Sequence, residues 1–392
     1  MKILVIAPHN YYVDRGTPID LDILLRALSH RGDEVHAAVY DGGAPRDYPN
    51  VTVHRPGAPA SLHDLGPGFS LRKLRADRHL FRLARRLVRV LKPDVVHAGE
   101  EAVFMATHFA FWKKVPYVYD LDSSIAQQLV EKKPALRPLA GVFNAVEAKA
   151  IRGAVACAPV CHALADLTRR RGAKHVETLH DISQLADPDR TPTGFLHRRF
   201  GLPATRPLLM YVGNLEAYQG VDLLLEGFAA SRAAADAPAV DLIVAGGTDA
   251  AIAAYRRRAE ALGVADVTHF LGRWPANRLD ELLAEAAILT APRVRGINTP
   301  QKIFPYLHSG RAVLLTRLPT HTQIVDDRLC RLAEPTPEAF GAAINALAAD
   351  PALRAELGGA GRAFVEAEHV FAAHQRRVDR LYDFVQNRIA PS

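Results

Sequence analysis

Cysteine is nearly absent from this chain. Cys157, Cys161 and Cys330 are the only three in 392 residues, too few for a disulfide framework, and the Cys157–Cys161 pair has no further Cys or His at zinc-site spacing. No stretch reaches the roughly 18 uncharged apolar residues that span a bilayer. The N-terminus, MKILVIAP, has one lysine, a short apolar run and no small-residue cleavage site, so it reads as a first strand rather than a secretion signal. These absences point to a soluble protein of a reducing cytoplasm, at most resting on the inner face of a membrane. Strong charge of one sign is also missing: the formal net charge is +7. That favours anionic partners (nucleotide phosphates, an anionic membrane, nucleic acid) without choosing among them. Nucleic acid drops out, because no recognition motif or aromatic interleaving accompanies the basic residues.

What is present is an ordinary globular mixture, 49% hydrophobic and 23% charged, in a chain long enough for two or three domains. Short apolar runs alternate with longer amphipathic segments. Strands are expected at 2–7, 34–40, 51–55, 95–97, 116–119 and 155–160, with helices between them. The alternation stops across 180–207, where four prolines interrupt any period, and restarts with strands at 208–212, 241–245, 267–271, 288–291 and 312–316. Such alternation means parallel sheets with right-handed crossovers. The expected domains are 1–185, 186–368, and a helix over 369–392 returning to the first. Ligands of doubly wound sheets bind beyond the carboxyl ends of strands, so two such domains suggest an interdomain cleft.

Two segments carry the chemistry. In YVGNLEAYQGVDLLLEGF (211–228) a strand ends at Gly213, a polar loop follows, and a helix opens near Gly220, where backbone N–H groups suit an anion. In APRVRGINTPQKIFPYLHSG (291–310) Asn298 and Thr299 are expected to cap a helix over 299–309, with Lys302 in its first turn and Arg293 and Arg295 just ahead. Lys302 and the arginines suit a diphosphate, or are solvated surface cations. Taken together these segments resemble family 4 of the retaining glycosyltransferases of GT-B fold, the likeness being most specific from 211 to 316. The resemblance implies two Rossmann-like doubly wound domains and a nucleotide-sugar co-substrate, with no metal or other cofactor.

In that family an Arg and a Lys grip the donor diphosphate; here Asn214 and Gln219 stand in their places. Ile297 and Pro305 replace two family glutamates. By resemblance Gly213, Asn214, Gln219, Gly246, Gly272, Arg273, Arg295, Asn298, Thr299 and Lys302 line the donor site.

On the N-terminal side Gly16-Thr17-Pro18 lies where the family has a glycine loop, with Thr17 as helix cap and Pro18 at the first helical position. His97 ends a strand; Glu100 and Glu101 follow as acceptor contacts, or simply favour the next helix N-terminus. Asp122 ends another strand where the family often has His, or caps the next helix together with Ser123. Asp122 and His97 are the candidate catalytic residues, and Gly16, Thr17, Glu100 and Glu101 the candidate acceptor contacts.

The helix over 71–92 holds nine Lys or Arg against one acid, Asp77, with Arg75, Arg78, Arg82, Arg85 and Arg89 on one stripe. It is either a surface helix of an arginine-rich protein or a face for anionic lipid. The expected activity is transfer of a sugar from a nucleotide-sugar to a saccharide, lipid-linked or small-molecule acceptor. A catalytically degenerate scaffold and a nucleotide-sugar epimerase are the alternatives.

Overall fold

The computed structural model describes residues 1–13, 16–44, 46–63, 65, 70–132, 134–233 and 237–390. Asp14 and Arg15, expected to open the first helix, lie outside the described residues. The chain divides into two compact units, Met1–Asp181 with Phe371–Ser392, and Ile182–Val370.

The first unit opens with β1 (Lys2–Asn10), a buried apolar run, and α1 (Gly16–Arg31). It continues through β2 (Glu34–Tyr40), β3 (Val51–His54), α2 (Leu71–Leu91), β4 (Val95–Gly99), α3 (Val103–Lys113) and β5 (Tyr117–Leu121). Then come α4 (Ile125–Lys132), α5 (Ala140–Gly153), β6 (Ala156–Pro159) and α6 (His162–Arg170). The strands form one sheet ordered β3-β2-β1-β4-β5-β6, every pairing parallel. Near-continuous apolar strands follow from this arrangement, because helices cover both faces. Leu80, Ala84, Ala106, Phe109, Ala150 and Ile151 from α2, α3 and α5 pack on one face, and Leu24, Leu25 and Leu28 from α1 on the other. The two ends of α2 are set locally. Ser70 accepts the Lys73 N–H at 3.1 Å, and Lys92 turns left-handed (φ 49°) to stop it.

The second unit repeats the plan. After α7 (Phe195–Phe200) run β7 (Leu208–Val212), α8 (Val221–Arg232), β8 (Asp241–Ala245), α9 (Asp249–Ala261), β9 (Thr268–Gly272) and α10 (Leu279–Ala284). Next are β10 (Ile288–Ala291), α11 (Ile303–His308), β11 (Ala312–Thr316), α12 (Pro319–Thr322), β12 (Arg331–Ala333), α13 (Pro337–Ala349) and α14 (Pro351–Glu368). The sheet order is β12-β11-β10-β7-β8-β9, the same topology with strands renumbered. In both sheets the order reverses beside the first strand of the unit, which puts a topological switch point at the carboxyl ends of β1 and β7.

The last helix, α15 (Phe371–Ile389), belongs to the first unit. Val378, Leu381, Tyr382 and Val385 join the core under α1, and Arg31 on α1 reaches Asp383 at 2.7 Å.

Two local expectations fail. The helix expected over 299–309 begins only at Ile303, because Pro300 and a turn closed by the Ile303 N–H on the Pro300 carbonyl intervene. Asn298 and Thr299 therefore cap nothing, and the preceding residue, Lys302, makes no side-chain cap either. Thr17 lies inside α1 rather than at its cap: the helix already includes Gly16, whose φ of 27° lies in the left-handed region.

Candidate active site

In the second unit three glycines end three adjacent strands. The Gly213 N–H donates to the Ala245 carbonyl at 2.9 Å, and the Gly246 N–H to the Gly272 carbonyl at 2.6 Å. Gly246 has φ 111°, and a Cβ there would lie 2.0 Å from the Gly213 carbonyl oxygen. A Cβ on Gly213 would lie 2.3 Å from the Lys302 Nζ. The strand ends must be bare for these approaches.

Lys302 is the centre of this site. Its ammonium donates to the Tyr211 hydroxyl at 3.0 Å and the Gln219 Oε1 at 3.2 Å, and lies 4.1 Å from the Tyr211 ring centroid. No carboxylate among the described residues pairs with it. Burial, helped by the nearby Arg293 guanidinium, lowers its pKa to about 7. It is no solvated surface cation.

The loop ahead of α11 is fastened through its carbonyls. Arg293 donates to the carbonyls of Arg295 and Asn298 at 2.9 and 3.0 Å; Gln323 holds that of Ile297, Thr320 that of Asn298 and Thr316 that of Arg293. Beside it the Thr299 Oγ1 is buried and makes no hydrogen bond. A half-buried ammonium and an orphaned hydroxyl in the loop that follows a parallel strand suit an anion with oxygen acceptors.

The other expected donor contacts separate. Gln219 is buried and holds Lys302. Asn214 is exposed and spends its side-chain oxygen on the Glu216 N–H, turning the loop. Arg273 and Arg295 are exposed and form no ion pair among the described residues. Sequence reading missed Tyr211, Tyr306 and the full role of Arg293. Tyr306 clasps the backbone N–H and carbonyl of Val212 at 2.8 and 3.0 Å, holding the end of β7 to α11. Nothing in an apolar strand or helix run distinguishes such tyrosines from core residues.

In the first unit the equivalent strand ends carry carboxylates. Asp120 and Asp122 from β5 and its end line a cavity of about 20 Å³ with Asp20 of α1, His180, Asp181 and His374 of α15, room for about one water. Asp20 is hydrogen-bonded to Asp181, and burial with the neighbouring aspartates raises its pKa well above the usual carboxylate range. Asp122 is raised for the same reasons, first by burial and then by Asp120 and Glu100, although the Thr17 hydroxyl bonds to it. Like charges this close cannot all ionise, so the cluster holds protons at neutral pH. Burial lowers the His374 pKa to about 4, although the His180 backbone bonds to its ring.

The capping alternative for Asp122 and Ser123 is corrected. Ser124 caps α4 through the Gln127 N–H at 3.4 Å, and Ser123 donates instead to Glu100 at 2.9 Å. His97 is buried within β4. Its Nδ1 meets the Tyr382 hydroxyl at 2.9 Å and its Nε2 the Asp120 carboxylate at 3.1 Å, so it orients Asp120 rather than facing solvent. Glu101 pairs with Lys73. Burial and that neighbouring Glu101 push the Glu100 pKa up to about 8. Asp20, Asp181 and His374 had no sequence signal, since they come from segments far apart in the chain. Among the described residues no three His, Cys, Asp or Glu side chains form a metal-ligating group.

Comparison with known proteins agrees with this geometry. Residues 21–181 match the family described as glycosyl transferase 4-like domain, and residues 193–364 the family of glycosyl transferases group 1. No curated protein matches the chain. Among solved structures, sucrose-phosphate synthase from Thermosynechococcus elongatus superposes with a TM-score of 0.79 at 18% identity, over 98% of this chain and 99% of its own. HepE of Anabaena in complex with UDP gives 0.74 at 15% identity, over 98% and 100%. WaaG, a glycosyltransferase involved in lipopolysaccharide biosynthesis, gives 0.68 at 16%, over 96% and 99%. Identities this low establish the shared fold.

Proposed function

This chain is a family 4-like glycosyltransferase of GT-B fold, and from that premise we propose that it draws its sugar from a nucleotide-sugar whose diphosphate sits against Lys302. The observation that carries the proposal is the half-buried ammonium of Lys302, held only by neutral partners, with the orphaned Thr299 hydroxyl on the same loop. An ammonium partly withdrawn from water with only neutral partners is stabilised when an anion completes it. The Gly213 and Gly246 backbones allow close approach, and Gln219 and Arg293 hold the surroundings of the lysine. Lys302 thus does the work of the family's two missing cations, stabilising the departing diphosphate where charge develops. No metal or other cofactor takes part in this scheme.

The acceptor is assigned to the first unit. Asp122, protonated by its cluster, bonds an acceptor hydroxyl; Thr17, Gly16 and Glu100 line its approach; His97 and Tyr382 orient Asp120. Transfer with retention follows the family. Relatives match in kind: HepE has been solved in complex with UDP-glucose, and one neighbour is a trehalose-6-phosphate enzyme bound with UDP-2-fluoro glucose.

An anionic membrane at the inner face is the surface proposed for the first unit, and an acceptor carried on it follows. Every exposed large apolar side chain described, apart from Ile297, lies on or beside α2, α3 and α5, with Phe111 and Trp112 the most prominent aromatics. The apolar stripe of α2 is spent on the core through Ala76, Leu80, Ala84, Leu87 and Val88, so what it shows solvent is mostly arginine, with Leu71, Leu74 and Val90 toward its ends. Aromatic anchors beside a cationic stripe complement anionic lipid. No helix described is long and apolar enough to cross a membrane.

The reading is tested by incubating the protein with UDP-, GDP- and TDP-sugars and following release of the nucleoside diphosphate. Turnover of one of them that is lost on Lys302→Met is the expected result. No binding to any of them overturns the proposal.

A further inference from the structure

A second concentration of cations, unpaired among the described residues, lies away from both strand-end sites. Arg75, Arg78, His79 and Arg82 of α2 line a groove of about 390 Å³ whose other wall is the turn at Pro59, Ser61 and Leu62. Their spacing, i, i+3, i+4 and i+7, places all four on one helical face within about 10 Å of axis. None of Arg75, Arg78 and Arg82 makes a hydrogen bond or ion pair to any described residue, and all three are exposed. The acid of this helix is engaged elsewhere: Asp77 accepts the Tyr40 hydroxyl at 2.5 Å. The wall is held in place by Arg72, which donates to the Ser61 carbonyl, while Leu62 is buried beneath it.

Guanidiniums at i, i+3 and i+7 repel one another. Some exposed arginines of the second unit are neutralised, Arg278 by Glu281, Arg328 by Asp326 and Arg317 by Asp327. The groove cations differ in facing a concavity of ligand size with no carboxylate among its described lining. Arginine forks grip phosphate oxygens in pairs, so two adjacent guanidiniums hold one phosphate and the third reaches a second.

We infer that this groove is a phosphate-binding site, taking a phosphomonoester or pyrophosphate group in a defined one-to-one complex. The group comes either on a lipid headgroup or on a free phosphorylated molecule. Exposed Leu71 and Leu74 on the same helix place apolar surface beside the groove, which suits the lipid source. The site stands whether or not the transferase reading holds, because it shares no residue with the Lys302 or Asp122 clusters.

The test uses the full chain and Lys302→Met side by side, so that pyrophosphate bound at the donor loop is not mistaken for pyrophosphate in the groove. Inorganic pyrophosphate is titrated by calorimetry, and cosedimentation is measured with vesicles containing phosphatidic acid, whose headgroup is a phosphomonoester, and with phosphatidylcholine vesicles. Arg78→Gln/Arg82→Gln is compared with Arg86→Gln, which removes an exposed arginine of the same helix outside the groove. Thermal melts check that each variant folds.

For a soluble ligand, pyrophosphate binds one-to-one in the Lys302→Met chain and the groove variant weakens it about tenfold or more, while Arg86→Gln leaves it unchanged. For a lipid headgroup, pyrophosphate fails to bind, and only the groove variant lowers cosedimentation with phosphatidic acid vesicles by a similar factor. The site is overturned if neither probe binds. Equal losses from Arg86→Gln and the groove variant also overturn it, because diffuse charge then suffices.

Discussion

The two units are built on one topology and finished with opposite charge. At the carboxyl ends of β7, β8 and β9 there are bare glycine backbones and a half-buried ammonium. At the ends of β1, β4 and β5 there are Asp120, Asp122 and Glu100, with Asp20 and Asp181 packed behind. The fold fixes where a ligand can meet each sheet, at the switch point. The side chains there decide what kind of ligand it is. A cationic pocket suits a diphosphate; a proton-holding carboxyl cluster suits hydroxyl groups, which it can both donate to and accept from.

Breaking the cationic side should have the largest effect. Lys302→Met is expected to lower turnover of the nucleotide-sugar by about 10²–10³-fold, with weaker binding of nucleoside diphosphate. The melting temperature should hold, because the substitution removes a buried charge rather than an ion pair. Breaking the acidic side should leave a different signature. Asp122→Asn is expected to reduce kcat by about 10²-fold with nucleoside-diphosphate affinity unchanged. Equal loss of diphosphate affinity in both variants would remove the division of labour between the units.

A third change probes the glycine backbone alone. Gly246→Ala places a Cβ against the Gly213 carbonyl at a left-handed φ, and is expected to destabilise the second unit by about 2 kcal/mol. Its denaturant midpoint should fall, while Gly141→Ala, with open space around it, serves as control.

The smallest effect sharpens the electrostatic contrast through pH. A bound diphosphate favours the charged form of Lys302, so its pKa rises in the complex. Affinity for a nucleotide-sugar, whose diphosphate does not titrate here, should be flat below pH 7 and fall by up to about tenfold per pH unit above it. Free-enzyme stability responds in the opposite direction. Unfolded Lys302 keeps its proton to about 10.5 and folded Lys302 only to about 7, so this residue's contribution to stability rises with pH between those values. Lys302→Arg should flatten the affinity profile, and a binding titration from pH 6 to 9 checks it.

Much of the architecture was legible. The runs at 2–7, 208–212, 241–245, 288–291 and 312–316 are strands at nearly those positions, because a strand buried on both faces must be continuously apolar. The order of Gly213, Gly246 and Lys302 was readable too, since glycine at a strand end and lysine near a helix start are local signals, although Lys302 is expected inside the first turn and stands just ahead of it. The helix expected at 299–309 failed because Pro300 and the turn after it cannot be distinguished from a helix start by periodicity alone. The stripe of α2 was visible as charge, but its exposed character depended on which residues the core took.

The amino-acid order by itself determined the alternation, the two sheets and the residue types at their ends, because backbone hydrogen bonding and apolar periodicity act over a few residues. Only the tertiary structure decided what those residues became. Lys302, open to two readings in the sequence, became a half-buried cation with neutral partners, and His97, a catalytic candidate, became a buried support for Asp120. Asp122 gained Asp20, Asp181 and His374 as neighbours from distant parts of the chain. Burial and electrostatic coupling depend on distance in space, and that distance exists only once the sheet has brought its strand ends together.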